Sequence, residues 1–434
     1  MKIKKLFIEF LILPLCLSVL LSDISCKNNI TAQNDTSRIK ATVLIENLSG
    51  FDYIDSFSEG LASVNKNDKS GYIDETGKIV VPLIYDSADS FSEGLANVRK
   101  DGKCGFIDKT GNVVIPFISS CNSYFSGGFA FVCKDGKFGL VDKTGEVVIP
   151  FIYATFDYNV DEDLIGVCNN GSYWGCIDKK GNVVIPLIYN YYGSIKDGMI
   201  YVAKGDKCGC LNTKGNVIIP LIYDNIDEFS EGLVIVKKDG KWGVLDETDN
   251  FVVPLTDDYN EIANFHDGLA MIGKNGKYGF IDKTGKIVIP LTDNYDEICN
   301  FNDGLAMIEK DDKYGFIDNK YNIAVPMVYD FAEDFTNGLA LVEKDGKYGF
   351  IDNKGNIVAP LIYDYAEGFY DYYDGMAKIS INGEEGLIDK SGNIVVLFDG
   401  KLECFRNGFA VFSKLTENGD TQFTIYEITT ANTK

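Results

Sequence analysis

The chain is short of the side chains that usually carry chemistry. It has one histidine in 434 residues, His266, which leaves no histidine triad and no histidine-rich metal centre to build. Serine or asparagine holds the equivalent slot elsewhere (Ser92, Ser230, Asn302), so His266 reads as a structural residue in a connection. Cations are few: 41 Lys and Arg face 64 Asp and Glu, a net charge of −23. That deficit argues against nucleic acid as a partner and against charge-driven adhesion to anionic lipid. There is no Cys-x-x-Cys pair, no phosphate-cradling glycine loop, no nucleophile elbow and no dinucleotide fingerprint. Neither a metal nor a cofactor is implied. Helical periodicity is absent beyond the N-terminus, and of only 10 prolines all but Pro14 are evenly placed.

Those prolines set the beat of the chain. Gly71, Gly105, Gly139, Gly175, Gly209, Gly243, Gly279, Gly315 and Gly349 are each followed 11 residues later by a proline, from Pro82 to Pro360. A tenth glycine, Gly386, has Leu397 at that position. Successive prolines lie 34 or 36 residues apart, which marks a repeat array rather than a string of unrelated domains.

One unit, from Phe265 to Pro290, carries the local logic. Asn275-Gly276 between two apolar runs is a hairpin signal, because a type I′ turn needs positive φ at both central residues. Asp101-Gly102, Asp135-Gly136, Asp239-Gly240 and Asp345-Gly346 fill the same slot. Asp282-Lys283-Thr284-Gly285 then reads as a type I turn closed by a left-handed glycine. Ile287-Val288-Ile289 follows as a third strand ending at Pro290, and the Leu221 to Asp224 stretch of a sister unit offers a fourth. Both alternating positions of these strands are apolar, so each small sheet is expected to be covered on both faces. A unit of this size cannot fold alone, and stacking must hold it. Leu164 stands where the fourth unit's first glycine is expected. Length variation falls between proline and next glycine: 12 residues from Pro82 to Gly94, 14 from Pro254 to Gly268, 15 from Pro360 to Gly375. These connections are expected to share one face.

The glycine pair is written out as Lys241-Trp242-Gly243 and Trp174-Gly175, with Tyr278-Gly279, Tyr314-Gly315 and Tyr348-Gly349 as aromatic variants. Phe138, Cys104, Cys208, Ser70 and Glu385 fill the tryptophan slot elsewhere. In this the chain resembles the bacterial WG-repeat (KWG-repeat) family from about residue 45 to 412. The resemblance implies a β-repeat fold and little chemistry. The fold class expected is all-β: about ten WG-type repeats of 34–36 residues, each a three- to four-stranded antiparallel meander, stacked as an open or superhelical array. A closed β-propeller-like ring is the alternative. It would join a half-unit at 41–56 to a half-unit at 405–428, on either side of ten units at 57–404, giving about 11 blades against the usual range of about 4–8.

Lys2, Lys4 and Lys5 precede an apolar run, Leu6 to Leu21, broken by Glu9, which reads as a signal peptide over 1–25. Cys26 follows small residues and opens a polar tether over 26–40, resembling a bacterial lipoprotein site with Asp23 where leucine is preferred. Residues 429–434 form a tail. Membrane contact is thus expected only through lipid on Cys26, after secretion across the inner membrane.

The recurring aspartates (Asp74, Asp108, Asp246, Asp282 and their sisters) open hairpin turns and are expected to cap their own backbone. Nine cysteines follow Cys26, and as small buried hydrophobes they need no metal. The tyrosines after the third strand (Tyr85, Tyr153, Tyr189, Tyr223, Tyr329, Tyr363) are expected to plug the gap between neighbouring sheets, with stacking of a sugar or peptide as the alternative. Asp161, Glu162, Asp163, Asp257, Asp258, Tyr370, Tyr372 and Tyr373 lie in the longer connections and form the candidate binding surface. The function expected is a non-enzymatic, envelope-associated scaffold that binds a protein or glycan. A carboxylate-pair hydrolase of envelope polysaccharide and a structural spacer are the alternatives.

Overall fold

The computed structural model describes residues 39–119, 125–157, 164–169, 172–196, 198–370 and 374–430. Residues 1–25, Cys26 and the tether to residue 38 lie outside them. The described chain forms eleven four-stranded antiparallel sheets. Sheet 1 is typical: β1 (Ile39–Ser49) precedes it, and β2 (Tyr53–Ile54), β3 (Leu61–Lys66), β4 (Lys69–Asp74) and β5 (Ile79–Tyr85) pair in order. The β3–β4 turn holds Asn67 and Asp68 at φ 50° and 59°, the geometry of the type I′ turns written Asp-Gly or Asn-Gly in other units. After β4, Asp74 Oδ1 accepts from Thr76 N (2.9 Å), Thr76 Oγ1 (2.5 Å) and Lys78 N (3.1 Å). The recurring aspartate is therefore a turn cap.

The glycine and the proline keep their distance because they meet. Ser70 pairs with Tyr85 and Tyr72 with Val81, so the ladder jumps over a bulge that contains Pro82 and faces Gly71. A Cβ on Gly71 would lie 2.5 Å from Val81 O and 2.8 Å from the Pro82 carbonyl carbon, and only glycine admits that approach. Proline suits a bulge, where a backbone N–H is not needed by the ladder. Sheet 10 gives the counter-example. With Leu397 in place of proline, Gly386 pairs with Leu397 directly and the ladder runs on.

Two expectations are corrected here. The Leu-Ile-Tyr stretch is no separate fourth strand: β5 and its sisters run through the proline, as in Val217–Tyr223. The fourth strand is a short first one, two residues long in β2, too brief for any periodicity to reveal. In the fourth unit Leu164 pairs with Asp178 just as Leu61 pairs with Asp74. The extra residues lie in the following turn, between Cys168 and Trp174.

The array is closed, and the open or superhelical arrangement gives way to the ring. Lys401–Arg406, Phe409–Leu415 and Thr421–Thr430 form three strands of sheet 11, and β1 supplies the fourth, with Ile39 opposite Thr430 and Ser49 opposite Gln422. The two ends thus pair slightly beyond the 41–428 span. Each neighbouring pair of sheets shares a buried core, and the set includes one between sheets 11 and 1, where Val411, Phe423 and Ile425 pack on Ile54, Phe57 and Val64. Asn407 Nδ2 also donates to Phe57 O across that joint, 3.2 Å. An open row would leave sheets 11 and 1 without a shared core. The described chain is an eleven-bladed β-propeller.

Candidate binding sites between the blades

Blades converge at their first strands. One cavity of about 900 Å³ touches the first strands of blades 1 and 2 (Tyr53, Ser87) and also Arg406 of blade 11 and Phe125 of blade 3. Only the converging edge of a ring brings four blades to one space. The first strands therefore line the centre, and β1 closes blade 11 on the rim.

The tryptophan slot of the motif looks into the gap between its own blade and the next. Trp242 Nε1 donates to Asn260 O ahead of blade 7, 2.8 Å. Tyr314 meets Phe331 of blade 9 (ring centroids 6.4 Å) and Tyr348 meets Tyr365 of blade 10 (6.1 Å). Glu385, in the same slot, accepts from Leu402 N of blade 11 at 2.7 Å. Trp174, Trp242, Tyr278, Tyr314 and Tyr348 are all half-buried, whereas the glycine after each is buried. The slot is a bridge to the neighbour, filled by rings that are half-buried and by small residues, Ser70 and Cys104, that are buried.

Among the described residues, cavities on this plan include three between neighbouring blades. Between blades 1 and 2 the walls are Ser63, Ser70, Ser87, Asn65, Asp55 and Asp89. Between blades 5 and 6 they include Tyr201, Cys208, Asn225 and Asp227 around about 160 Å³. Between blades 9 and 10 they are aromatic and acidic: Phe331, Tyr348, Tyr365, Tyr370, Glu333 and Glu367 around about 420 Å³. Burial raises the carboxyls of Asp227 and Glu333 above the ordinary range; a hydrogen bond from Tyr370 opposes the rise at Glu333. By contrast the turn carboxylates Asp108 and Asp246 are held down at about 2 by the hydroxyls of Thr110 and Thr248 and by backbone N–H groups. Burial pushes the Cys210 and Cys404 thiols up to about 12, which makes them poor nucleophiles.

The expected binding surface is split. In a four-strand meander, the connections after strands one and three lie at one end of the sheet, and those after strands two and four at the other. Asp257 and Asp258 follow a fourth strand, Phe251–Thr256. Tyr370 follows a first strand, Tyr365–Ala366. The two therefore sit on opposite faces of the ring, and the variable connections do not share a face. The Pro-to-Gly interval spans both connections, so its length alone could not tell them apart. Thr256 Oγ1 donates to Asp258 Oδ2 at 2.8 Å, and Tyr370 Oη donates to both oxygens of Glu333 at 3.0 Å. Tyr370 is thus a wall of the 9/10 gap. Asp161, Glu162, Asp163, Tyr372 and Tyr373 lie outside the described residues, as does Cys26. His266 is exposed at the face that carries Tyr370, beside a shallow hollow with Asp267, Asp303 and Thr336. Tyr85, Tyr223 and Tyr363 are buried between sheets.

What sequence reasoning missed is the first strand and the two residues after it. Glu333, Glu367 and Phe331 carry no motif, and their only signal is a fixed offset before the next phenylalanine, Phe335 or Phe369.

The fold and the slot geometry define a β-propeller repeat protein. The family model described as WG containing repeat matches the chain ten times, in successive segments from residue 50 to residue 384. The chain belongs to the WG-repeat family. No curated protein sequence matches it. Among solved structures it is similar to a eukaryotic initiation factor (11% identity, 85% of this chain and 98% of that one, TM-score 0.39). It is also similar to Hsv2 of Kluyvelomyces marxianus (9% identity, 56% and 98%, TM-score 0.30) and to the WD40 β-propeller domain of Doa1 (10% identity, 54% and 91%, TM-score 0.24).

Proposed function

We propose that this propeller is a non-enzymatic scaffold that binds a protein or glycan partner at the cell envelope, held there by lipid on Cys26. One observation carries the reading. Slots that face the sheet cores repeat the same chemistry, as Ala62, Ala96, Ala270, Ala306 and Ala340 do, while slots that face the gaps diverge from Ser70 to Tyr348. Divergence confined to the walls of the gaps on a constant frame is what a set of separate recognition sites needs. The test joins the two halves of the proposal. Cells expressing the wild type or Cys26→Ala are fed a clickable fatty acid and then crosslinked. Label and envelope crosslinks present in the wild type and lost in the variant support it; a wild type with neither overturns it.

A second reading, hydrolysis, draws on one feature. Asp55 and Asp89 share the 900 Å³ cavity, and partial burial, then the Asp55 charge, raises the Asp89 carboxyl. It requires turnover of an envelope polysaccharide that disappears in Asp89→Asn; a screen of such substrates without turnover removes it.

A further inference from the structure

Blade 6 supplies its own ligand for the tryptophan slot. Lys237 lies opposite Trp242 on the neighbouring strand, and its ammonium sits 4.7 Å from the indole centroid. An ammonium over an aromatic face is attracted by the negative face of the ring. In blade 9 the same two slots hold Glu343 and Tyr348. The ring is kept and the built-in cation is replaced by a carboxylate.

Around Tyr348 the rest of the gap follows suit. Phe331, Tyr365 and Tyr370 stand about the same cavity, each more than a third exposed (38%, 46% and 37%). Tyr370 donates to Glu333, and Tyr365 Oη donates to Glu367 Oε1 at 3.2 Å. None of the described residues lining this cavity is cationic. The next gap round the ring is compensated: Lys378 pairs with Glu385 (2.9 Å) and Lys401 with Glu403 (2.8 Å). Lys347, the lysine beside the 9/10 gap, is engaged by Asp364 at its edge.

The cavity is also kept open. Gly368 replaces a residue that has a side chain in blades 1 and 2 (Ser56, Ser90), and its φ does not demand glycine. A Cβ there would lie 2.6 Å from Glu333 Oε2 and 3.1 Å from the Tyr370 ring, so the missing side chain is what lets carboxylate and phenol take their places.

We propose that the gap between blades 9 and 10 binds an alkylammonium group, with Tyr348, Tyr365, Tyr370 and Phe331 as the aromatic walls and Glu333 and Glu367 as counter-charges. The site rests on the scaffold reading and narrows it to partners that present a lysine side chain or a quaternary amine. With about 420 Å³ it has room for such a head group and part of its stem.

Tetramethylammonium and n-butylammonium chloride are titrated into the purified full-length chain by calorimetry, with tert-butanol as the neutral isostere and sodium chloride as the ionic control. One saturable site is expected for at least one ammonium and none for tert-butanol. Affinity should fall about tenfold in Tyr348→Ser and in Gly368→Ser. Both place a residue that blade 1 or 2 already carries at the same slot, so the thermal melt should stay near wild type. Tyr278→Ser, in a distant gap, should bind like wild type. Tighter binding of n-butylammonium identifies lysine as the natural group, because its N–H donors reach the carboxylates; tighter binding of tetramethylammonium identifies a quaternary amine. Equal binding of tert-butanol, or wild-type affinity in both variants, overturns the site. Envelope crosslinks that persist while no ammonium binds would sink this pocket and leave the scaffold reading standing; the reverse would spare the pocket.

Discussion

The gap between blades 1 and 2 and the gap between blades 9 and 10 share a backbone and differ in almost every side chain that faces the centre. Tyr53, Asp55, Ser63, Ser70, Ser87 and Asp89 of the first correspond to Phe331, Glu333, Leu341, Tyr348, Tyr365 and Glu367 of the second. Beneath them the same devices recur: the positive-φ turn at Asp68 and Asp345, the bulge opposite Gly71 and Gly349, and the buried tyrosine at Tyr85 and Tyr363. Small and polar walls line a cavity of about 900 Å³ that runs on to blades 3 and 11, and rings line one of about 420 Å³ between blades 9 and 10. The frame is held by residues that never see the cavity. A repeat protein of this design can change what it recognises one gap at a time.

Removing the strand that closes the ring should separate the two gaps most. Deletion of β1 uncovers Leu44, Ile45 and Leu48 from the core between blades 11 and 1, about 5 kcal/mol of apolar burial. It also exposes Thr421–Thr430 as a free edge, which invites self-association. Hydrogen exchange should then show lost protection in residues 401–430 and in blade 1, with blades 9 and 10 spared. If all blades lose protection together, the ring is one cooperative unit and the gaps cannot be treated as independent.

Substitution at the shared frame should hurt both gaps alike. A Cβ on Gly71 or Gly349 would meet the facing strand's carbonyl oxygen, at 2.5 Å from Val81 O and 2.9 Å from Ala359 O. Alanine at either should cost about 3 kcal/mol, as overpacking a tight core does. Their neighbours are walls rather than frame, so Ser70→Ala and Tyr348→Ser should cost about 1 kcal/mol or less. Chemical denaturation of the four variants checks this. A Tyr348→Ser loss as large as that of Gly349→Ala would place the motif aromatic in the frame.

How much of this was legible follows from the range of each interaction. The Gly-to-Pro interval reports a contact within one sheet, and its failure at Leu397 coincides with the one regular ladder at that position, so the local pattern carried real geometry. Turn glycines and capping aspartates were equally local. Ring closure was not, because Ile39 and Thr430 pair across nearly the whole chain and each half-unit is also compatible with an array that starts out of phase. The gap walls were hidden for another reason. They depend on a first strand of two residues, and on the neighbour that the tryptophan slot faces, neither of which has a periodicity to detect.

Acid should act with opposite sign on the buried wall carboxyls, Glu333 and Asp89, and on the turn caps such as Asp108 and Asp352. Asp108, beside the 1/2 gap, is held at about 2 against an ordinary value of 3.8. A carboxyl depressed by folding contributes stability that is complete above its unfolded value and is lost as pH falls through the folded one. The turns that carry it should therefore loosen between 3.8 and about 2. Glu333 is raised by burial, so its charge costs stability at neutral pH, and protonation relieves that cost as the pH falls through its raised value. Local melts followed by exchange from pH 7 to 2 should show the 9/10 gap tightening slightly before the Asp108 turn gives way. Simultaneous loss at both places would mean that the net charge, not these local partners, governs acid unfolding.

The smallest structural change makes the finest test, which is to rebuild one gap as the other. Ser70→Tyr with Ser87→Tyr would give the 1/2 gap two rings beside its own carboxylates, Asp55 and Asp89. Ser70 now accepts from Asn65 Nδ2 at 3.2 Å, so the exchange loses about 1 kcal/mol of hydrogen bonding against the burial gained by the rings, and the melt should barely move. Binding of tetramethylammonium at the new gap should be weak, because Ser90 still donates to Asp55 Oδ2 at 3.2 Å and occupies the place that Gly368 leaves empty. Adding Ser90→Gly should strengthen it. A triple variant that folds and binds no ammonium would mean that the walls are not sufficient, and that Tyr370, which the longer connection of blade 10 brings onto Glu333, is the part of the site that cannot be moved.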